Sequence, residues 1–278
     1  MPVRLRFSIE PRVVHDDGLP AHTGPAVYYA LLDAVRGTNP ALAAELHDER
    51  PKRLATTAVL DREGRPVVGR NPPAQFQVGL LDDRLTGAIL GSLPVGTSLR
   101  IGHHSTVAVS EVAVEAMAGY ADILKRASPD VAWSMRFVTP TTFRTGAGQG
   151  ARRSRPLPVP DLVFMSLGKR WNHFAGSARL DLDLVEEAVY EHVEVAGFEL
   201  RTAKHLTKAD HPRVFETGFV GTVRFAARRA DSLSEYQLRA LSTLMIFATL
   251  VGVGDKTNVG MGLAELGERQ ARSARRRR

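Results

Sequence analysis

The chain has 278 residues, 44% of them hydrophobic and 24% charged, an ordinary globular composition with room for one large domain or two small ones. No apolar run reaches the roughly 18 residues that a membrane helix needs, and zero cysteines exclude a disulfide framework and thiolate metal ligation. The net charge of +7 points to a polyanion, but six arginines lie in the last ten residues; taking them away leaves +1 for the rest of the chain.

The N-terminus, MPVRLRFSIE, alternates apolar and charged residues, so it reads as a strand near Val3–Ile9 and not as a signal peptide. A cytoplasmic protein is the expectation. Thr23 and Pro25 mark a helix start. Tyr28, Leu31, Leu32 and Val35 recur at helical spacing as a buried stripe, leaving Tyr29, Asp33 and Arg36 on the polar side. Strands are predicted near Ala55–Leu60, Gln75–Leu81 and Ser105–Val114, with a short helix over Asp82–Leu90. A helical-looking stretch, Glu115–Ala127, leads to the boundary at Ser128, Pro129 and Asp130.

The second half begins again with a strand, Val131–Val138. An Arg/Gly/Pro-rich loop runs from Arg144 to Pro160 and carries Arg152, Arg153 and Arg155; a helix with Lys169, Arg170 and a core Trp171 follows. Strands are expected at Val193–Thr202 and Phe215–Ala226, then a helix over Ser234–Leu250 capped by Ser232 or Ser234. Each half thus reads β-α-β-β-α-β, an α+β protein of two tandem ferredoxin-like domains: residues 1–128, residues 129–268, and a basic tail over 269–278.

The segment Gly252, Gly254, Lys256, Thr257, Gly260 and Gly262 fails two nucleotide patterns. Asp255 stands where a P-loop needs glycine before Lys256. Thr257 stands where a dinucleotide fingerprint needs its third glycine, and the segment follows a helix instead of opening one. Two readings remain: backbone amides and Lys256 contacting RNA phosphates, which four glycines around a Lys-Thr pair favour, or a helix C-cap and an ordinary turn. The arginine loop likewise reads as an RNA clasp or as a solvated face. His103 and His104 are adjacent and would point oppositely on a strand, and His205 and His211 have no partner at ligand spacing, so no metal and no cofactor are assigned.

A ferredoxin-like repeat ending in G-x-G-x-x-T-x-x-G-x-G and a strand resembles the repeat-associated RNA-binding proteins of CRISPR systems. Within them the chain looks like the Cas-six endoribonuclease family. The resemblance is carried in order by Gly18-Leu19-Pro20-Ala21-His22; Leu46-His47-Asp48 with Lys52; Arg136-Phe137-Val138-Thr139-Pro140-Thr141-Thr142-Phe143-Arg144; Pro156-Leu157-Pro158; Arg170-Trp171; and Gly218-Phe219-Val220-Gly221-Thr222-Val223 before the glycine segment. It implies binding of CRISPR repeat RNA and metal-independent cleavage, in which the 2′-hydroxyl attacks the adjacent phosphate to leave a cyclic phosphate and a 5′-hydroxyl. His47, just after the first helix, matches the usual catalytic histidine; His22 a second one found in some members; Lys52 a lysine serving transition-state charge; Tyr29 a tyrosine of the first helix. Other effector-complex subunits and a second copy of the chain are further expected partners. A non-catalytic repeat-RNA-binding subunit is the alternative.

Overall fold

A computed structural model describes residues 1–13, 18–19, 22–67, 69, 71–101, 105–146, 153–208 and 214–267. Arg152, His103, His104, His211 and the tail over 269–278 lie outside the described residues.

In the N-terminal half, β1 (Val3–Val13) has every second side chain buried from Val3 to Ile9, because one face of the sheet packs on helices and the other meets solvent. It is flanked by β3 (Gln75–Leu80) and β5 (Thr106–Met117), with β2 (Leu54–Thr56) and β4 (Ser98–Arg100) outside them. All five pair antiparallel. Setting β4 aside, the order is fourth, first, third, second, that of a ferredoxin-like sheet.

Helix α1 (Gly24–Thr38) buries Tyr28, Leu31, Leu32 and Val35 and exposes Tyr29, Asp33 and Arg36, as its periodicity predicts. Thr23 stands at its N-cap without capping it; the hydroxyl instead accepts from the Val59 amide at 2.8 Å. α2 (Pro40–Asp48) doubles back on α1, capped by the Asn39 side chain, and α3 (Arg84–Ser92) completes the layer. The helix expected over Glu115–Ala127 is shorter than predicted. β5 runs on to Met117 because Glu115 pairs across the sheet with Arg4 and Arg6, and α4 (Tyr120–Arg126) starts only after Gly119.

The C-terminal half repeats the scheme. β6 (Ala132–Thr141) lies between β11 (Ala264–Leu266) and β10 (Phe215–Ala227), and β9 (Val193–Leu206) forms the far edge, again in ferredoxin-like order. β7 (Phe143–Thr145) and β8 (Arg153–Arg155) form a small hairpin inside the arginine-rich stretch. α5 (Pro160–Phe174) buries Trp171 completely, its indole N–H donating to the Ala178 carbonyl at 2.8 Å. α6 (Leu182–His192) escapes the sequence reading although Asp181 caps it and Val185, Ala188 and Val189 make a buried stripe. α7 (Glu235–Val251) opens on a capping box between Ser234 and Gln237.

Two hydrophobic cores result, and each borrows from the other half. Leu81, Tyr120 and Ile123 pack into the C-terminal core, while Val259 packs into the N-terminal one. α4, ahead of the expected boundary at 128, is therefore part of the C-terminal core. Tyr120 donates to the Leu81 carbonyl at 3.0 Å, and Arg239 of α7 donates to the carbonyls of Lys125 and Ala127.

Candidate active site at the domain interface

Because α2 runs back along α1, the C-terminal turn of α2 meets the first turns of α1. His47 is solvent-exposed there, its ring centroid 6.5 Å from those of both Tyr28 and Tyr29. The end of α2 leaves carbonyls without helical donors, and two cations fill that role. Lys52 donates to the carbonyls of Leu46 (2.8 Å) and His47, and Arg50 to those of His47, Asp48 and Glu49 at 3.1, 3.2 and 2.7 Å. Burial, reinforced by the Arg50 charge, pushes the Lys52 ammonium down to about 8. Lys52 thus fixes the backbone that carries His47 and stays mostly protonated at neutral pH.

Tyr29 is exposed near His47, as its place on the polar side predicts. Yet the hydroxyl bearing polar contacts is that of buried Tyr28: it lies 3.5 Å from Lys52 Nζ and from the Leu46 carbonyl, and hydrogen-bonds the Asn258 side chain. Burial raises the Tyr28 phenol, so it stays protonated. Periodicity shows that Tyr28 faces inward; it does not show that its hydroxyl ends among polar groups.

Asn258 belongs to the glycine segment, and the structure gives that segment a clear position. A short 3-10 turn, residues Thr257–Val259, docks against α1 and β2 of the N-terminal domain. Thr56 donates to the Asn258 carbonyl at 2.8 Å. Amides of Gly252, Val253, Asp255, Val259, Met261 and Gly262 donate to carbonyls within the chain, and Thr257 is buried. Gly252 ends α7, Gly254 lies against the Thr142 carbonyl, and Gly262 lies against Val253. Gly260, at φ +89°, meets Gly24 at the start of α1: a Cβ on Gly260 would lie 2.8 Å from the Gly24 Cα. The segment's amides are thus largely taken up within the C-terminal half, and its stretch from Thr257 to Gly260 joins the two domains.

Its cationic side chain has another partner. Lys256 Nζ and Arg144 Nη2 converge on one oxygen of Glu216, at 2.8 and 2.5 Å, and Arg144 Nε reaches Asp255 at 2.6 Å. Arg153 and Arg155 are exposed on β8, and Lys169 is exposed on α5. Arg170 departs from its expected place in an RNA surface. Its guanidinium turns inward, where Nη1 donates to the Val251 carbonyl at 2.9 Å and Nη2 is buried.

On the other side of the docked turn, His22 is half-buried just before α1, its ring 5.6 Å from that of His205 at the end of β9, edge to face at 75°. His205 Nε2 lies 2.8 Å from the Val259 carbonyl. Burial lowers both imidazoles, His205 to about 4. Spacing along the chain offers His205 no partner because its partner comes from the other domain. Among the described residues no group of three or more His, Asp or Glu is placed to hold a metal, and no helix is long and apolar enough to cross a membrane.

The sequence model of the CRISPR-associated endoribonuclease Cas6 matches residues 135–264. A solved Cas6 product complex superposes with a TM-score of 0.78 at 25% identity, covering 96% of this chain and 100% of that one. The chain is similar to Cas6 endoribonucleases in sequence over residues 135–264 and in fold over nearly its whole length. A second Cas6 product complex gives a TM-score of 0.71 at 26% identity over 96% of this chain and 99% of that one. Thermus thermophilus Cas6 gives 0.72 at 22%, covering 96% and 98%. No curated protein sequence matches. The span matched by the Cas6 model contains the glycine segment, His205, Glu216 and Arg144, whereas His22, Tyr28, His47 and Lys52 lie ahead of it. The likeness to Cas6 in sequence thus covers the C-terminal half, and His22, Tyr28, His47 and Lys52 are placed by the geometry above.

Proposed function

We propose that this chain is a Cas6-type endoribonuclease that cuts CRISPR repeat RNA into guide RNAs by attack of a ribose 2′-oxygen on the neighbouring phosphorus, without a metal ion. The 2′-hydroxyl gives its proton to a base as the new P–O bond forms. The P–O5′ bond then breaks, and the 5′-oxygen takes a proton from an acid, leaving a 2′,3′-cyclic phosphate and a 5′-hydroxyl. His47 and His22 serve as the acid–base pair, each offering an imidazole nitrogen that can accept or donate a proton. Lys52 lends positive charge to the phosphorane. Tyr28 and Tyr29 flank His47.

The observation carrying this reading is the convergence of His47, Lys52 and both tyrosines at the junction of α1 and α2, with His22 just ahead of the same helix. Gly24 to Tyr28 spans only about 6 Å of helical rise, so both histidines stand near the N-terminal turns of α1, where the helix dipole attracts a phosphate. Arg153, Arg155 and Lys169 supply exposed charge for the RNA backbone, with Lys256 and Arg144 behind Glu216. Solved Cas6 proteins of this fold include product and substrate-mimic complexes.

The test is incubation of the native chain, His47→Ala and His22→Ala with repeat RNA in EDTA, with the ends typed by phosphatase and kinase treatment. Cleavage by the native chain to cyclic-phosphate ends, lost in both variants while RNA binding persists, is the expected result. Full cleavage by both variants would remove the site assignment. Binding without cleavage by the native chain would make it a non-catalytic repeat-RNA-binding subunit.

A further inference from the structure

His205 is the one titratable side chain of the C-terminal domain, among the described residues, with a ring contact to a candidate acid–base residue. It is almost fully buried, and Nε2 sits 2.8 Å from the carbonyl oxygen of Val259. A carbonyl only accepts, so Nε2 carries the hydrogen. Burial keeps the ring neutral, and Nδ1 is therefore left as a bare acceptor. The tautomer is thereby fixed by the backbone of the docked glycine segment. The charged and titratable groups acting on this ring are His22 from the chain ahead of α1 and Lys256 from the glycine segment. Glu216, opposite His205 on β10, is engaged by Lys256 and Arg144.

A buried histidine bonded to a carbonyl is commonly a structural element. What sets this one apart is its neighbour: an imidazole of the other domain lies 5.6 Å away, nearly perpendicular to it. Such an edge-to-face pair restricts ring rotation as well as adding packing, and proton transfer is acutely sensitive to imidazole orientation.

We propose that His205 is a positioning residue for His22: the Val259 carbonyl fixes the His205 ring and its tautomer, and that ring fixes the His22 imidazole for proton transfer at the scissile phosphate. The domain interface then sets the geometry of the acid–base pair, and the C-terminal domain takes part in catalysis without touching the reacting atoms. This rests on the acid–base role proposed above for His22.

The full chain, His205→Phe and His205→Gln are compared in single-turnover cleavage of repeat RNA across pH, with RNA affinity measured in parallel. Phenylalanine keeps the ring shape and removes both nitrogens, whereas the glutamine amide donates to Val259 and offers an acceptor in place of Nδ1. His205→Phe, which loses the bond to Val259, and His205→Gln, which loses the ring, should each cleave roughly tenfold to hundredfold more slowly with RNA affinity intact and the pH profile displaced. In a His22→Ala background either substitution should change the rate by no more than about twofold. A native rate and profile in His205→Phe would overturn the proposal, and so would an equal loss in the His22→Ala background. Ring nitrogen shifts of the native protein by NMR guard against a variant that fails to fold: they should show the Nε2–H tautomer at His205, and the Nδ1–H form would overturn the idea. A native chain that leaves RNA intact while showing the expected tautomer would sink the endonuclease reading, and this role with it.

Discussion

Gly24 and Gly260 meet backbone to backbone across the domain interface. A Cβ on Gly24 would lie 2.2 Å from the Val259 carbonyl oxygen, and one on Gly260 2.8 Å from the Gly24 Cα. Neither obstacle is a flexible side chain. Gly24→Ala and Gly260→Ala should each cost about 1–3 kcal/mol and lower Tm by roughly 2–4 °C per kcal/mol. Cleavage should fall further than the loss of folded protein explains, because the contact of Asn258 with Tyr28 and that of Val259 with His205 move with the turn. Thermal melts paired with single-turnover rates check this; an alanine variant with native Tm and rate would contradict the docking account.

Glu216 holds Lys256 and Arg144 on one carboxylate oxygen, the arrangement a phosphate oxygen would compete for. Glu216→Gln should tighten RNA binding and steepen its dependence on salt, while Lys256→Ala should weaken binding and lower the slope by about 0.7–0.9, one phosphate contact. Titrations at several salt concentrations read both effects. Equal slopes in all three proteins would leave the trio a purely structural ion pair.

Burial and Arg50 together bring Lys52 down to about 8, so its charge is complete below that pH and vanishes as pH rises through it. The cleavage rate should therefore fall on the alkaline side near pH 8. In Lys52→Arg that limb should move beyond the accessible range, because guanidinium does not deprotonate there. Lys52→Met should be slow at every pH. An alkaline limb unchanged in Lys52→Arg would assign it to another group.

His205 titrates near 4 in the folded chain against an ordinary 6.5, so between these values the unfolded chain binds a proton that the folded one refuses. Its contribution to stability is complete above about pH 6.5 and is lost as pH falls towards 4. Chemical denaturation of the native chain and His205→Gln should show a gap that narrows by up to about 3 kcal/mol across that window. Parallel curves would show that the ring is freely protonated in the folded state.

The sequence patterns carried the fold further than the site. The stripe of Tyr28, Leu31, Leu32 and Val35 records which face of α1 is buried, and burial is what a helical period encodes. Alternation in β1 and the order of elements were enough for two ferredoxin-like units. Partners across the interface leave no such trace, because nothing in the spacing of His205 names His22, and nothing around Asn258 names Tyr28. Glycine reads equally well as an anion cradle and as a place where two backbones touch. The four glycines suggested the first, and Gly24, unremarked in the sequence, shows the second. Arg170 failed as an RNA contact for a similar reason: a basic pair on a helix does not reveal which member turns inward towards Val251.

The Val259 carbonyl that holds His205 is a backbone group, so every residue type at position 259 supplies the same acceptor. Substitution there alters packing but cannot delete the bond. Chain length can. One residue added to or removed from the short turn Thr257–Val259 would shift that carbonyl and the neighbouring Asn258 side chain together. Drift in this part of the protein is thus constrained in the number of residues more strictly than in their identity, and length variants are the changes it should tolerate least.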